Sequence, residues 1–350
     1  MRKQQRWWRV ALALAALWPV AGAAAPDGKL AKELRLYNWD RYIDPQVLKD
    51  FEREFGVRVI EDKFASNEDL LAKIQASGGY DVIVPSDYTV QIMIRRQLLA
   101  PLDHRNLPNL KNLGKRFREA AYDPGNRYSV PYLWGTSGLG YSRKRFPQPP
   151  AGWDDVFNPD KLKKHKGRVS MLNDMRETIG AALIYKGFSP NTTDPSQLEA
   201  AKQALLAQKP YLAKYDSEAY KESLAAGETV LVHGWSGEIL AQRADNPDVA
   251  FIVPREGSFL FVDSLAIPKS TKNQYTAEVF INYLLRPQVA ARNSSYLRYP
   301  SPNEAARPLI DPRLEGATYK LPQGITLHSI RDIGEAGRLY ERVWTEVKAR

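Results

Sequence analysis

The chain has 350 residues, and its composition excludes several classes of protein before any motif is considered. It contains no cysteine, which excludes disulfides, thiolate metal sites and lipid attachment through an N-terminal cysteine. Its 50 basic residues outnumber its 40 acidic residues, so the formal net charge is +10. Because this excess is mild, it does not predict a protein that binds nucleic acid.

The first 25 residues have the organisation of a secretory signal peptide. A basic start over residues 1–9 is followed by an apolar run over 10–20 and by small residues over 21–25. The apolar run is too short to span a bilayer. We expect cleavage near Ala23, which lowers the net charge from +10 to +6. The remaining chain is then expected to be soluble and exported, without membrane insertion.

Strand and helix patterns alternate in the first third of the chain, which predicts an α/β fold with parallel strands. Pro45 suits the first turn of a helix, and Ser66 suits a helix cap. We expect strands over 34–37, 57–62 and 81–84, and helices over 45–55, 67–76 and 89–97.

Two extended runs, 128–134 and 138–142, are predicted to cross between domains, with Gly135-Thr136-Ser137 as the segment that joins them. A third extended run, 259–268, is interpreted as the return of the chain to the first domain. Between these crossings we expect strands over 169–172, 229–233 and 249–253, and helices over 176–186, 195–207 and 237–243. Helices are also predicted over 275–285 and along an apolar stripe from Ile333 to Val347.

Aromatic and acidic side chains recur where predicted strands give way to helices, the place where α/β proteins bind ligands. Ring faces and carboxylates both attract ammonium groups, so this combination favours an organic cation as the ligand. Lysine or arginine partners are not expected beside these acids. The candidate residues are Trp39, Asp40, Tyr42, Ser86, Asp87, Tyr88, Asp174, Glu177, Trp235, Glu238, Phe261, Asp263 and Tyr299.

Structural explanations of some of these residues remain open at this point. Aromatic rings also close the ends of sheets, and Asp44 suits a helix cap. Asp174 and Glu177 fall in the first turn of a helix, where the dipole favours acids, and paired acids also fit a secreted hydrolase. The sequence has no Walker sequence, HExxH pair or complete nucleophile elbow, so no cofactor, metal or catalytic residue is expected.

Eight motifs, which follow one another along nearly the whole chain after residue 25, resemble those of the periplasmic spermidine/putrescine-binding proteins of bacterial ABC importers. They are Tyr37-Asn38-Trp39-x-x-Tyr42, Tyr80-Asp81-Val82-Ile83-Val84-Pro85-Ser86, Val130-Pro131-Tyr132-Leu133-Trp134-Gly135, Asp174-x-x-Glu177, Asn191-Thr192-Thr193-Asp194-Pro195, Asp263-Ser264-Leu265-Ala266-Ile267-Pro268, Tyr283-Leu284-Leu285-Arg286-Pro287 and Tyr299-Pro300-x-Pro302-Asn303.

The resemblance implies a two-lobed, type II periplasmic binding protein, in which each lobe is a mainly parallel sheet flanked by helices. Lobe 1 would comprise residues 30–135 plus 263–307, and lobe 2 residues 136–262 plus 308–350, joined by crossing hinge strands. It further implies a monomeric protein that is not an enzyme. The protein would capture a polyamine in the cleft and deliver it to an ABC permease of the inner membrane. A receptor that presents its closed form to a signalling sensor is the alternative.

The resemblance also implies roles for individual residues. Glu238 corresponds to a carboxylate of putrescine-type members, Phe261 replaces a tryptophan of spermidine-type members, and Asp174 is like the spermidine type. The aromatic walls would comprise Trp39, Tyr42, Trp235, Phe261 and Tyr299, the groups that meet the amines would be Asp174, Glu177 and Asp263, and one end would be lined by Asp40, Ser86 and Tyr88.

Overall fold

The computed structural model describes residues 28–312 and 323–349. The expected signal peptide and its cleavage near Ala23 lie outside these residues. Within the two described ranges, the helices are all too short or too polar to cross a membrane.

Ten strands of the described chain form one mixed sheet. Its order is β2-β1-β3-β9-β4-β7-β5-β6, with β10 paired to β9 and β8 paired to β4. The strands are β1 (Glu33–Trp39), β2 (Arg58–Phe64), β3 (Val82–Ile83), β4 (Ser129–Ser142), β5 (Val169–Met171), β6 (Lys214–Tyr215), β7 (Leu231–Trp235), β8 (Val249–Ile252), β9 (Ser258–Ala266) and β10 (Leu327–His328).

Helices cover this sheet, and short 3₁₀ segments join several of the elements. The α-helices are α1 (Pro45–Phe55), α2 (Asn67–Ala76), α3 (Asp87–Arg95), α4 (Lys115–Arg118), α5 (Asp154–Phe157), α6 (Pro159–Leu162), α7 (Met175–Tyr185), α8 (Pro195–Gln208), α9 (Tyr220–Ala226), α10 (Ser236–Asp245), α11 (Gln274–Leu284), α12 (Pro287–Leu297) and α13 (Gly337–Ala349). The 3₁₀ segments are His104–Asn106, Pro108–Asn112, Lys163–His165, Lys209–Tyr211, Glu304–Leu309 and Gly334–Ala336.

Local sequence signals explain where the first helices begin and end. The Asp44 carboxylate accepts the Gln46 backbone N–H at 2.8 Å, and Pro45 occupies the first turn of α1. Gly56 ends that helix with a left-handed φ of 66°. Ser66 caps α2 by accepting the Asp69 N–H at 3.1 Å. The helices predicted over 45–55 and 67–76 are therefore confirmed at both ends.

Two hydrophobic cores lie on either side of the strands that cross the molecule. One packs α1, α11 and β1 together through Leu36, Phe51 and Phe280. The other packs β5, α7 and α13 through residues that include Met171 and Tyr340. Strands β2, β1 and β3 are parallel, as are β6, β5 and β7, and the antiparallel pairs occur where β9, β4 and β8 join them.

The crossing strand β4 corrects one expectation. Gly135, Thr136 and Ser137 do not join two separate runs, because they lie inside one continuous strand. Its first half pairs with β9 and its second half with β7 and β8. The glycine is required by close packing, since a Cβ on Gly135 would approach the Phe261 ring to 2.7 Å. Glycine usually weakens or interrupts a strand, but here it lets two neighbouring strands pack closely.

Candidate functional site

A cavity of about 970 Å³ lies at the carboxyl ends of β1, β3, β5 and β7. Trp39 and Trp235 are the last residues of β1 and β7, and Ser86 and Asp174 follow β3 and β5. The cavity brings together all of the candidates from the sequence: Trp39, Asp40, Tyr42, Ser86, Asp87, Tyr88, Asp174, Glu177, Trp235, Glu238, Phe261, Asp263 and Tyr299.

Asp263, on β9, is held by two hydroxyl groups from the first third of the chain. Tyr42 and Ser86 each donate a hydrogen bond of 2.7 Å to its carboxylate. Asn67 orients Ser86 by donating to its hydroxyl oxygen at 3.0 Å and accepting its backbone N–H at 3.1 Å. Burial raises the pKa of Asp263 to about 6, although the two hydroxyl donors stabilise the ionised form.

Glu177, in the first turn of α7, is buried beside the indole of Trp235. Its carboxylate accepts the Trp235 Nε1–H at 3.3 Å, and burial together with the charge of Asp174 raises its pKa to about 8. The imidazole of His233 lies 3.8 Å behind it. Burial lowers the pKa of His233 to about 3, so this ring is neutral at pH 7 and supplies no counter-charge.

Two further acids of the cavity lie at the starts of helices: Asp87, which is buried, and Asp174, which is half-buried. Asp87 accepts the Tyr88 backbone N–H at 2.8 Å, and burial raises its pKa to about 8. Asp174 caps α7 by accepting the Glu177 N–H at 2.9 Å, and burial raises its pKa as well. Within 28–312 and 323–349, none of Asp87, Asp174, Glu177 and Asp263 forms an ion pair with lysine or arginine.

Aromatic rings surround these carboxylates. The Tyr42 ring meets the Tyr299 ring edge to face at 5.3 Å, and Phe261 meets Tyr299 in the same way at 6.2 Å. The Trp39 indole donates its N–H to the Val84 carbonyl at 2.9 Å, which fixes its ring at the end of β1. These rings line the same cavity as the acids, and their apolar faces suit a methylene chain.

Two of the predicted acids differ from expectation because each has a basic partner. Asp40 is exposed and accepts Lys63 Nζ at 2.6 Å and Arg41 Nε at 3.2 Å. The Lys63 ammonium holds the pKa of Asp40 below its usual range. Glu238 accepts Lys221 Nζ at 2.8 Å. The expectation that the acids lack lysine or arginine partners is therefore wrong for these two residues.

Several cavity residues were missed by sequence reasoning. Lys221 and Tyr220 lie on α9, a helix that was not predicted. Lys221 stands 17 positions before Glu238 in the sequence, and because that spacing forms no recognisable motif, the pairing could not be predicted. Asn67 was considered only as a helix start, and its side chain instead contacts Ser86. Across the two described ranges, no three His, Cys, Asp or Glu side chains are placed to hold a metal ion.

Comparison with known proteins identifies the family. Residues 46–317, most of the chain, match the family described as bacterial extracellular solute-binding protein. The chain belongs to this solute-binding family. Solute-binding proteins are not enzymes, which confirms the expectation from the sequence. It also removes the hydrolase interpretation of Asp174 and Glu177.

Relatives of this solute-binding protein match it over almost their whole length. A putrescine/cadaverine-binding protein of Pseudomonas aeruginosa is 35% identical, over 94% of this chain and 97% of the relative. A spermidine/putrescine-binding periplasmic protein of Escherichia coli is 34% identical over 99% of each chain. The solved structure of the TpPotD lipoprotein of Treponema pallidum has a TM-score of 0.81 and 34% identity, covering 91% of this chain and 100% of its own. The solute-binding protein thus has the two-lobed type II fold that its sequence predicted.

Proposed function

We propose that this solute-binding protein captures a polyamine, putrescine or spermidine, in the cavity and delivers it to an ABC importer. The observation that carries the proposal is a set of four acids without lysine or arginine ion pairs in the described part of the chain, lining one cavity with the aromatic rings. Asp87, Glu177 and Asp263 are buried, and Asp174 is half-buried. The names of its relatives, which include putrescine, cadaverine and spermidine, support the same ligand class.

The charge balance of the cavity explains why an amine would bind. A buried carboxylate without a counter-ion is costly, and a diamine or triamine supplies the missing positive charge. Ammonium groups would pair with Asp263, Glu177, Asp87 and Asp174, while the methylenes pack against Tyr42, Phe261 and Tyr299. Carboxylate spacing would then determine specificity, and desolvation of the methylenes would supply affinity.

We further propose that ligand capture closes two lobes, residues 30–135 plus 263–307 and residues 136–262 plus 308–350. Their separate hydrophobic cores and the crossing strands β4 and β9 support this division. Two ion pairs join the proposed lobes, Arg41 to Glu222 at 2.9 Å and Arg95 to Asp332. The closed lobes would present the surface that the permease recognises.

Calorimetric titration of the full chain without residues 1–25 tests the ligand class. We expect stoichiometric binding of at least one of putrescine, cadaverine, spermidine and spermine. Glutamate and glucose serve as controls and should give no heat, because neither offers an ammonium-terminated methylene chain. Heat from the controls with none from the amines would overturn the proposal.

The proposal includes the cellular location and the oligomeric state of the protein. The protein would act as a monomer in the periplasm after removal of a signal peptide near Ala23. Cell fractionation with N-terminal sequencing of the periplasmic form tests both the location and the cleavage site. A form that retains residues 1–25 and sediments with membranes would contradict it.

A further inference from the structure

The Glu238 end of the cavity already contains an ammonium group, supplied by the protein. Lys221 Nζ donates to Glu238 Oε1 at 2.8 Å, and the Tyr220 hydroxyl donates to Oε2 at 2.6 Å. The Lys221 and Glu238 side chains are 11% and 21% exposed, so water screens the pair only weakly. Glu238 is therefore bonded to the same chemical group that a polyamine would offer it.

The surrounding residues hold this ion pair in place. Tyr220 accepts the Trp235 backbone N–H at 3.1 Å, and its ring meets the Trp235 indole edge to face at 6.2 Å. Lys221 Nζ lies 5.7 Å from the centre of the Tyr220 ring, within the range of a cation–π contact. The pair is thus part of the wall that includes Trp235, and it is not a mobile surface contact.

The paired Glu238 and the unpaired Asp263 both lie close to Tyr299. Burial raises the pKa of Tyr299, and the carboxylates of Glu238 and Asp263 raise it further, in that order. The cavity is therefore electrically asymmetric. Around Asp263 its acids lack lysine and arginine partners, whereas at Glu238 the acid and its lysine sum to zero charge.

We propose that Lys221 is a built-in ammonium that reduces by one the number of positive charges the ligand must carry. This inference rests on the proposed polyamine function and specifies the ligand class further. The Glu238 end accepts a neutral polar terminus, and the Asp263 end accepts an ammonium. Mono-N-acylated polyamines, which are charged at one end and carry an amide at the other, are then ligands alongside the free amines.

The cost of desolvation explains why the Glu238 end favours a neutral terminus over a second ammonium. A second terminal ammonium placed against the Lys221–Glu238 pair would lose its water, and it would find the Glu238 carboxylate already bonded to Lys221 and Tyr220. Displacing Lys221 would break a shielded ion pair, which is also unfavourable. An amide terminus avoids both costs, because a neutral group is cheaper to bury and can hydrogen-bond to the pair.

A charge series at the two positions tests the inference. The net charge of the Lys221–Glu238 pair is zero in the wild type, −1 in K221M, +1 in E238Q and zero again in K221M/E238Q. For each protein, calorimetry gives the ratio of the Kd for N-acetylputrescine to the Kd for putrescine. We expect K221M to raise this ratio at least about tenfold over the wild type and E238Q to lower it. The double variant should return within about threefold of the wild type.

K202M is the matched control. Lys202 is also a shielded lysine, paired with Glu199 at 2.8 Å and Glu346 at 2.7 Å, but it lies away from the cavity. Its substitution should leave the ratio unchanged. If K221M does not fold, E238Q still differs from the wild type by one charge and carries the test. An equal ratio in every variant would overturn this inference and leave polyamine binding intact. If the wild type binds neither amine, the proposed function fails as well.

Discussion

At the scale of one residue, Asp263 shows how the protein orients a carboxylate before a cation binds. Two hydroxyl donors fix its carboxylate, and Asn67 fixes one of those donors in turn. The carboxylate is oriented before the ligand arrives, so little of the binding free energy is spent on ordering the side chain. Burial nevertheless opposes its ionisation, and this opposition should be relieved only by an ammonium group.

The variant Asp263→Asn separates binding from stability. We expect the Kd for putrescine to rise at least about 100-fold, because a shielded charge pair is lost. The melting temperature of the empty protein should stay the same or rise, because a buried charge is removed. Asp81→Asn is the control, since Asp81 is a buried acid that accepts the Arg35 N–H at 2.9 Å away from the cavity. The control should melt lower and keep its affinity, and a D263N protein that melts much lower would show Asp263 to be structural.

The buried acids also predict how stability depends on pH. Burial raises the pKa values of Glu177 and Asp87 to about 8, whereas acids in an unfolded chain titrate near 4. Between these values the folded, empty protein binds more protons than the unfolded chain, so its free energy of unfolding falls as pH rises. Burial lowers the pKa values of His165, His233 and His328, and these three side chains act in the opposite direction, an effect that fades above about pH 6.5.

We therefore expect the melting temperature of the empty protein to fall between pH 6.5 and 8.5. Each acid that stays protonated only when folded contributes up to about 1.4 kcal/mol per pH unit. Differential scanning calorimetry measures the slope, and Glu177→Gln should make it shallower. A melting temperature that rises across this range would contradict the assignment of Glu177 and Asp87 as buried acids.

At the scale of secondary-structure elements, features set by neighbouring residues could be predicted from the sequence, whereas features set by contacts between distant residues could not. Asp44 and Ser66 stand beside their helices in the sequence, so the bounds of α1 and α2 could be predicted. The continuity of β4 through Gly135 could not be predicted. The glycine is needed there because the ring of Phe261, a distant residue on β9, occupies the space that a Cβ would take. Lys221 was missed for the same reason, since only folding brings it to Glu238. The aromatic and acidic candidates were found because strand ends concentrate at one edge of a parallel sheet.

Asp174 both caps helix α7 and lines the cavity, and two substitutions separate these two roles. Asp174→Ala removes the cap of α7 and should lower the free energy of unfolding by about 1 kcal/mol. Asp174→Asn keeps a capping oxygen and should preserve stability, but it should weaken amine binding because the charge is gone. Denaturant unfolding and calorimetric titration measure the two effects.

The control for this pair is Asp194, which caps α8 by accepting the Ser196 N–H at 2.8 Å. Asp194→Ala should lose similar stability with no change in amine affinity. If Asp174→Asn binds putrescine as tightly as the wild type, Asp174 is a helix cap and nothing more.

At the scale of the whole molecule, two ion pairs join the proposed lobes, Arg41–Glu222 at the cavity and Arg95–Asp332 away from it. Both pairs are partly exposed, so each stabilises the closed form by less than about 1 kcal/mol. The double variant E222Q/D332N should therefore weaken putrescine binding about three- to tenfold in low salt. The loss should shrink in 0.5 M NaCl, because salt screens exposed charges.

The double variant D103N/D160N is the control for these ion pairs. It removes the exposed pairs of Asp103 with Arg105 and of Asp160 with Lys163, each formed between near neighbours in the sequence. Calorimetry at two salt concentrations compares both variants with the wild type. An equal loss in the control, or a loss that persists in high salt, would show that the two ion pairs between the proposed lobes do not favour closure.

The pairing of β3 with β9 has a consequence for how the chain is made and exported. Ile83 on β3 pairs with Ala266 on β9, so the sheet of the first half lacks a central strand until residue 266 has been synthesised. Folding that depends on contacts so distant in sequence is slow. A chain threaded from its N-terminus through a translocation channel, as the proposed signal peptide requires, would therefore be unable to complete its first half before residue 266 emerges.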